Sequence, residues 1–229
     1  MTDPNRSSST GAESASESTD PIRILCVDDH RLVREGIVAL ISGQPDMQVV
    51  ATPATGQQAI ALFRRYRPDI TLMDLQLAGM TGLDAVKAIH EVDGHARIIM
   101  LTMHSGEEDI YRALAAGVST YLLKDTVAAD LIRVIREVHR GQRPIGRDIQ
   151  ARLAQRASHP ALTSREVQIV ELIAQGFRNK QIANALEISE ETVAVHMRNI
   201  FAKLGVQDRT AVLAVAVKRG LIHLGGEEL

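Results

Sequence analysis

Residues 22–30 read IRILCVDDH, a mostly apolar run that ends in two adjacent aspartates. Short apolar runs that end in a polar residue recur at residues 70–74 (ITLMD), 98–102 (IIMLT) and 121–124 (YLLK). Runs of this length, bounded by polar residues, are typical of buried strands. Helical patterns separate the runs, so the sequence predicts a doubly wound α/β domain with a parallel sheet.

The alternation of strand and helix patterns predicts five β-α units. Strands are expected at about 22–27, 47–52, 69–73, 97–102 and 120–123, and helices at about 31–42, 57–66, 83–91, 107–116 and 127–139. Five parallel strands arranged in this way form a flavodoxin-like sheet. In such sheets, ligands bind outside the carboxyl ends of the strands.

Polar side chains collect at that edge of the predicted sheet. In chain order they are Asp28, Asp29, Asp74, Thr102 and Lys124. Two unit charges about 4 Å apart repel each other by roughly 4 kcal/mol at an effective dielectric of about 20, so three carboxylates need a cation. Oxygen ligands suit a hard ion such as Mg²⁺. With a lysine and a hydroxyl nearby, the group predicts a site where an aspartate accepts a phosphoryl group.

The strand-end motifs also carry a family resemblance. Residues 27–30 (VDDH), 72–75 (LMDL), 101–102 (LT) and 121–124 (YLLK) resemble the receiver domain of bacterial two-component response regulators. The resemblance covers about residues 22–139 and implies that a sensor histidine kinase phosphorylates Asp74. It implies that Mg²⁺ (or Mn²⁺) is bound directly by Asp29 and Asp74, through water by Asp28, and by the backbone carbonyl of Gln76.

The same resemblance assigns roles to three further residues. Thr102 and Lys124 would contact the phosphoryl group, and Tyr121 would be an aromatic switch residue that packs inward. One departure is visible in the loop at residues 76–82 (QLAGMTG), because receivers usually have a Met-Pro pair at positions 77–78. A loop without that proline is expected to be less restrained.

Length and composition favour a two-domain protein. The 229 residues are 45% hydrophobic but only 3% aromatic, so the cores must be built from aliphatic side chains. The single cysteine, Cys26, lies in a predicted strand, where a small core residue is expected, and fits a reducing compartment. The polar N-terminus and the lack of a long apolar run predict a cytoplasmic protein that has no membrane partner.

The chain between and beyond the domains is polar. Residues 1–21 are rich in serine and threonine and are expected to be a disordered tail, and residues 225–229 to be a short C-terminal tail. Residues 140–160 are expected to be a linker with one helix at about 147–156. Residues 140–158 contain five arginines and one aspartate, which indicates either a solvated linker or a contact with nucleic acid.

From residue 161 to 224 the pattern predicts an all-α domain of four helices. Thr163 and Glu166 form a predicted capping box at the start of the first helix. Asn179 is expected to cap a short second helix, and Ser189 a longer third one at about 190–204 that ends at Gly205. A short helix, a brief turn and a longer helix form the helix-turn-helix pattern.

The third of these helices is predicted to have one buried apolar face and one solvent-exposed face. A helical wheel places Val193, His196, Met197, Ile200 and Leu204 on the buried side. Ala194, Val195 and Arg198 lie on the opposite side, where small side chains let a helix enter the major groove and an arginine can reach a base or a phosphate.

Residues 162–166 (LTSRE), 179–183 (NKQIA), 192–193 (TV) and 203–204 (KL) resemble the LuxR-type helix-turn-helix domain, and the whole chain resembles the NarL/FixJ class of response regulators. The resemblance implies a homodimeric transcription regulator of double-stranded promoter DNA rather than an enzyme. It places Ala194, Val195 and Arg198 at base-reading positions. It places three further residues near the phosphate backbone, namely Lys180, Lys203 and Arg209.

The fourth helix presents more apolar surface than a small domain needs, which indicates either a dimer interface or packing on the first helix. Two other functions remain open. The first is a DNA-binding regulator whose receiver acts without phosphorylation. The second is an aspartate-based phosphatase, which would need a second aspartate at position 76, where the chain has glutamine. A dinucleotide-binding domain is excluded because no G-x-G-x-x-G follows the first strand.

Overall fold

The computed structural model describes residues 20–103, 106–125 and 127–223, and at residues 127–129 the backbone alone. Residues 1–19 and 225–229, which make up nearly all of the two predicted tails, lie outside the described residues. The strands are β1 (Ile22–Val27), β2 (Met47–Ala51), β3 (Ile70–Asp74), β4 (Ile98–Thr102) and β5 (Thr120–Leu123). The helices between and after them are α1 (Arg31–Ser42), α2 (Gly56–Tyr66), α3 (Gly82–Val92), α4 (Glu107–Ala115) and α5 (Val127–His139).

All five strands are parallel and lie in the order β2-β1-β3-β4-β5. The predicted doubly wound sheet is therefore confirmed. The connections on the two sides of β1 run in opposite directions, which leaves a crevice at the carboxyl ends of β1 and β3. The register pairs Val27 with Met73 and Asp74 with Leu101, so the ends of neighbouring strands lie side by side.

The core of this domain has two layers because successive side chains of a strand point to opposite faces. Leu25 and Val27 pack against helices α2, α3 and α4, whereas Ile24 and Cys26 pack against α1 and α5. Cys26 is only 1% exposed, and burial raises the pKa of its thiol to about 12. The thiol therefore stays protonated, as expected for a core residue.

Helix α6 (Arg147–Ser158) occupies most of the predicted linker and is two residues longer than expected. Its Ile149 is buried in the hydrophobic core that also contains side chains of α4, and Leu153 packs against the same core. The linker is therefore only partly solvated, because this helix docks on the first domain.

The C-terminal domain contains α7 (Ser164–Ala174), α8 (Asn179–Ala185), α9 (Glu190–Leu204) and α10 (Arg209–Lys218). The predicted capping box is confirmed: Thr163 accepts a hydrogen bond from the N–H of Glu166, whose carboxylate accepts one from the N–H of Thr163. Ser189 caps α9, and Gly205 ends it in the left-handed conformation at φ 68°.

The prediction that Asn179 caps α8 is wrong. Arg178 occupies the N-cap position, and its N–H donates to the side chain of Gln181. Asn179 is the first residue of the helix, and its side-chain oxygen lies 3.4 Å from a guanidinium nitrogen of Arg209. A contact with α10 thus replaces the local cap. None of the helices in the described residues is long and apolar enough to span a bilayer.

Candidate functional sites

The polar residues predicted for the strand ends come together at the carboxyl edge of the sheet. Asp28 and Asp29 follow β1, Asp74 is the last residue of β3, and Lys124 follows β5. The ammonium of Lys124 lies 2.7 Å from Asp28 Oδ2 and 2.8 Å from Asp74 Oδ2. A buried lysine therefore connects two buried carboxylates that are far apart in the sequence.

The charges of this cluster perturb one another. Burial disfavours the Lys124 ammonium, but its hydrogen bonds to Asp28 and Asp74 outweigh burial and raise the pKa of the lysine. Burial raises the pKa of Asp74 to about 6, against the effect of Lys124 and together with the charges of Asp28 and Asp29. The ammonium of Lys124 thus does not fully offset the burial of Asp74 and the charges of its two neighbours.

The donor set fits a divalent cation. Ligand atoms of Asp28, Asp29, His30 and Asp74 all lie within 4.8 Å of one another. Three carboxylates face one ammonium, so the ionised cluster carries an excess of two negative charges. An ion with two positive charges and a preference for oxygen, such as Mg²⁺, matches both the charge and the donor type.

His30 and Gln76 lie at the margin of the acidic cluster. His30 Nδ1 is 2.7 Å from Asp29 Oδ1, and the His30 N–H donates to Asp28 Oδ1 over 2.9 Å. The imidazole is 68% exposed, so it lies at the rim rather than inside the cluster. Gln76 lines the same open cavity as Asp29. The contact between His30 and Asp29 does not follow from the strand-end pattern, because His30 lies beyond the end of β1 in the loop before α1.

The loop after Asp74 is held by local contacts although it lacks a proline. The N–H of Gly82 donates to the carbonyl of Leu75 over 2.8 Å. Thr81 caps α3 by accepting a hydrogen bond from the N–H of Asp84, and Leu77 is buried in the core. At Gly82 any side chain would overlap the carbonyl of Asp74. Glycine is therefore required at this position, which keeps the loop close to Asp74.

Thr102 and Tyr121 form a second buried pair at the same edge. Both are at most 1% exposed, and their side chains share a hydrogen bond. Burial and the nearby charge of Asp109 raise the pKa of Tyr121 well above its ordinary value. The phenol is thus neutral and already packed inward in this structure.

The DNA-reading face predicted for α9 is open to solvent. Ala194, Val195 and Arg198 are exposed and Val193 and Met197 are buried, as the helical wheel predicted, whereas His196 is only half-buried. The side chain of Val195 is 44% exposed, so an apolar group is available on this face for contact with a thymine methyl. No part of the receiver described in the structure covers this face.

The three basic side chains predicted to lie near the DNA backbone differ in their exposure and in their contacts within the protein. Lys180 is exposed at the start of α8. Lys203 is half-buried, and its ammonium lies 2.7 Å from Glu166. Arg209 donates to the carbonyl of Phe177, and desolvation lowers its pKa. Lys203 and Arg209 thus hold the domain together in addition to any contact with DNA.

Helix α10 divides its apolar residues between its own domain and the surface. Val212 and Ala216 are buried against the core of the C-terminal domain, whereas Val217 is 39% exposed. Packing within the domain accounts for the first two residues, and Val217 remains available for another contact.

Comparisons with known proteins agree with both halves of the chain. Residues 24–136 match the family described as the response regulator receiver domain, and residues 160–216 match the bacterial regulatory proteins of the luxR family. The response regulator protein VraR of Staphylococcus aureus is 39% identical over 207 residues, which is 88% of this chain and 99% of that protein. These matches define the class: the chain belongs to the two-component response regulators that join a receiver domain to a LuxR-type DNA-binding domain.

Solved structures give the same result. The response regulator ChrA of a heme-sensing two-component system is 33% identical, with a TM-score of 0.55 over 89% of this chain and 100% of that chain. RcsB of Salmonella enterica serovar Typhimurium, solved on promoter DNA with the phosphomimetic BeF₃⁻, is 22% identical. It has a TM-score of 0.67 over 87% of this chain and 99% of that chain, which shows a common fold.

Proposed function

We propose that this response regulator is controlled by phosphorylation of Asp74 by a sensor histidine kinase, and that the modification alters dimerisation and promoter binding. The observation that supports the proposal is the position of Asp74. Its carboxylate is buried at the sheet edge, 2.8 Å from the Lys124 ammonium and beside two further aspartates. A purely structural role would not explain why three carboxylates are grouped in one place.

Phosphoryl transfer would use Asp74 as the nucleophile. A carboxylate oxygen attacks phosphorus, the P–N bond to the kinase histidine breaks, and its electron pair stays on the imidazole, which takes up a proton. Asp28, Asp29, Asp74 and the Gln76 carbonyl would hold Mg²⁺, which would neutralise the phosphoryl oxygens when bound. The ionised carboxylate is the reactive form, so the raised pKa of Asp74 makes a nearby cation important for reactivity at low pH.

The new phosphoryl oxygens would attract the two groups that the resemblance assigns to them. The Lys124 ammonium already contacts Asp74 and needs only a small movement to reach the added anion. Thr102 would have to exchange its hydrogen bond with Tyr121 for one with the phosphoryl group. To move a population from 1:99 to 99:1, the phosphoryl group must favour one state by about 5.5 kcal/mol.

The C-terminal domain would bind the promoter through α9. Ala194, Val195 and Arg198 form the exposed reading face, and Lys180 lies near the DNA backbone in the proposed complex. A dimer would contact half-sites about one helical turn apart. Because the proposed reading face is already exposed in the structure, we infer that phosphorylation acts through assembly or domain orientation rather than by uncovering α9.

Intact-mass spectrometry combined with light scattering tests this function. Wild type and Asp74→Asn are each incubated with acetyl phosphate and Mg²⁺, and with each reagent omitted in turn. A phosphoryl adduct on wild type alone, with a shift toward dimer, is the expected result. Full labelling of the Asn variant would contradict the assignment of Asp74. Equal DNA affinity of the two proteins, with and without the phosphodonor, would favour control without phosphorylation.

A further inference from the structure

A short turn joins the first helix of the helix-turn-helix pair to the proposed reading helix. Helix α8 ends at Ala185, and Ser189 is the N-cap of α9, so only residues 186–188 lie between them. Such a short connection has few conformations, and a change in its backbone angles turns α9 relative to α8. Any contact that fixes this turn therefore also fixes the direction of the reading face.

The middle residue of the turn has an uncommon backbone conformation. Glu187 has φ 54°, which lies in the left-handed region. Glycine adopts this region without steric cost, whereas in other residues the Cβ atom crowds the following carbonyl oxygen. The Glu187 side chain is exposed, so burial of that side chain does not compensate for the cost. Hydrogen bonds of the backbone must therefore hold the turn.

Two backbone hydrogen bonds close the end of α8. The N–H of Ile188 donates to the carbonyl of Ala183 over 3.0 Å, and the N–H of Glu187 donates to the carbonyl of Asn184 over 3.3 Å. This pattern is the Schellman motif, in which a left-handed residue ends a helix. The carbonyl of Leu186, the C-cap residue, takes no part in the motif and accepts its hydrogen bond from another helix.

That hydrogen bond comes from Arg165 in the first turn of α7. Its Nη2 lies 2.6 Å from the carbonyl oxygen of Leu186, and its Nη1 lies 3.1 Å from Oε1 of Gln168 on the same helix. The half-buried guanidinium is thus held at two points, and its charge lies at the C-terminal end of α8, where the helix dipole favours a cation. Ile169 and Val170 are fully buried, so α7 is a fixed base for this contact.

We propose that Arg165 is a positioning residue for sequence-specific DNA binding. By holding the Leu186 carbonyl, its guanidinium fixes the strained turn at Glu187 and, with it, the direction of α9. Arg165 acts through the turn and is not part of the reading face. The inference rests on the proposed binding of promoter DNA through α9 and is independent of phosphorylation at Asp74.

The length of α9 makes the reading face sensitive to this turn. Arg198 lies eight residues after Glu190, the first residue of α9, which is about 12 Å along the axis at about 1.5 Å per residue. A tilt of about 10° at the turn would move Arg198 by about 2 Å, more than a hydrogen bond to a base edge tolerates. Contacts with phosphates depend mainly on charge and tolerate such a shift. Loss of the Arg165 contact should therefore reduce sequence preference more than general affinity for DNA.

Three variants separate positioning from stability. Arg165→Ala removes the contact. Arg165→Lys keeps the charge, but a single ammonium does not reproduce the two-point hold of the guanidinium. In the double variant Arg165→Ala/Glu187→Gly, glycine relieves the left-handed residue and restores stability without restoring the contact. Lys218→Ala is the matched control, because it removes an exposed cation from the same domain, at the end of α10.

Fluorescence anisotropy on the full chain measures binding to a preferred duplex, selected with wild type from a randomised pool, and to a scrambled duplex. Urea denaturation measures the stability of each variant, so that binding is compared where all of them are folded. We expect Arg165→Ala to lower the ratio of the two affinities by at least about 5-fold, the lower end of the cost of one mismatched base pair, while binding to the scrambled duplex changes little. The double variant should regain stability but keep the low ratio. Arg165→Lys should have an intermediate ratio, and Lys218→Ala should have the wild-type ratio.

The outcomes separate positioning from the other roles of an arginine. A ratio that stays at the wild-type value in folded Arg165→Ala, or that returns with stability in the double variant, would overturn the positioning role. Equal losses on both duplexes, with a salt slope reduced by about 1, would also overturn it and make Arg165 a phosphate contact. If Arg165→Ala does not fold, Arg165→Lys and the double variant decide in the same way. A wild-type protein without any sequence preference would contradict the proposed function itself, and the role of Arg165 would fail with it.

Discussion

Lys124 Nζ lies 2.8 Å from Asp74 Oδ2, although fifty positions separate the two residues in the sequence. The contact forms because β3 and β5 end at the same edge of a parallel sheet, with β4 between them. It leaves the Asp74 carboxylate only partly neutralised, since the same ammonium also contacts Asp28. The repulsion among the three carboxylates is therefore not fully compensated, which has measurable consequences for stability.

Replacing Asp74 by Asn should stabilise the metal-free protein. The substitution removes one of three clustered negative charges, and the amide oxygen can still accept a hydrogen bond from Lys124. We expect the free energy of unfolding to rise by about 1 kcal/mol in Mg²⁺-free buffer, measured by urea denaturation. Glu91→Gln, which changes an exposed carboxylate on α3, should stay within about 0.5 kcal/mol of wild type. A less stable Asn variant would show that the carboxylates do not oppose folding.

Magnesium should raise the free energy of unfolding of the wild-type protein. This increment should depend on Asp29 rather than on His30. A ligand that binds only the folded state at about 100 times its Kd adds about 2.7 kcal/mol to the free energy of unfolding. Urea denaturation across a Mg²⁺ titration measures this increment. We expect Asp29→Asn to lose most of it and His30→Ala to keep it, because oxygen donors suit this ion. Loss of the increment in His30→Ala would mean that the imidazole is a ligand.

Most of the receiver site was predictable because it follows from a simple geometric rule. Parallel strands share their carboxyl edge, so the residue that ends each apolar run must lie near the others, and Asp74 and Lys124 do. The five strands and the reading face of α9 follow from periodicity in the same way. Helix ends were harder to predict: Asn179 is a good capping residue, but its contact with Arg209 replaced that role.

The contact between the first turn of α4 and the C-terminal part of the chain could not be predicted from the sequence. Its two sides, residues 106–109 and 219–223, are more than a hundred positions apart, and neither has a periodic pattern. Arg156 and His159 lie in the predicted linker, whose basic part, residues 140–158, was expected either to be solvated or to contact nucleic acid. Only the docking of α6 on α4 brings them to Glu108 and Glu107. Contacts between domains depend on orientation, which local patterns do not encode.

The pair formed by Glu166 and Lys203 should make the stability of the C-terminal domain depend on pH. Burial disfavours the Glu166 carboxylate, but the hydrogen bonds from Lys203 and Thr163 outweigh burial and lower its pKa. A lowered pKa adds stability above the unfolded value of 4.5, and this stability is lost as the pH falls through the folded pKa. Glu166→Gln should therefore cost about 1–2 kcal/mol at pH 7 and progressively less below about pH 4.5.

Urea denaturation between pH 3.5 and 7 measures this difference. Glu171→Gln is the control on the same helix, since Glu171 is exposed. The free energy of unfolding of Glu171→Gln should stay within about 0.5 kcal/mol of wild type at every pH. A Glu166→Gln variant that lost equal stability at pH 3.5 and pH 7 would show that the cost comes from packing rather than from charge.

Lys180 should contribute to DNA binding without regard to sequence. It is exposed at the start of α8, and in the proposed complex it contacts a phosphate. Lys180→Ala should weaken binding to all sequences to a similar degree and reduce the slope of log K against log salt by about 1. Fluorescence anisotropy on specific and scrambled duplexes at several salt concentrations measures both effects. Lys87→Ala, on the receiver, should leave the slope unchanged.

Arg198 should instead contribute to the sequence specificity of DNA binding. It is the one arginine of the exposed α9 face, between the exposed side chains of Val195 and Ala202. If its guanidinium contacts a base edge, Arg198→Ala should cost about 1–3 kcal/mol on the preferred site and relax the preference at a single base pair. Selection of bound duplexes from a randomised pool, followed by anisotropy on single-base variants, measures the change. A uniform loss across all duplexes, with a reduced salt slope, would place Arg198 on a phosphate and leave base reading to the apolar side chains of Ala194 and Val195.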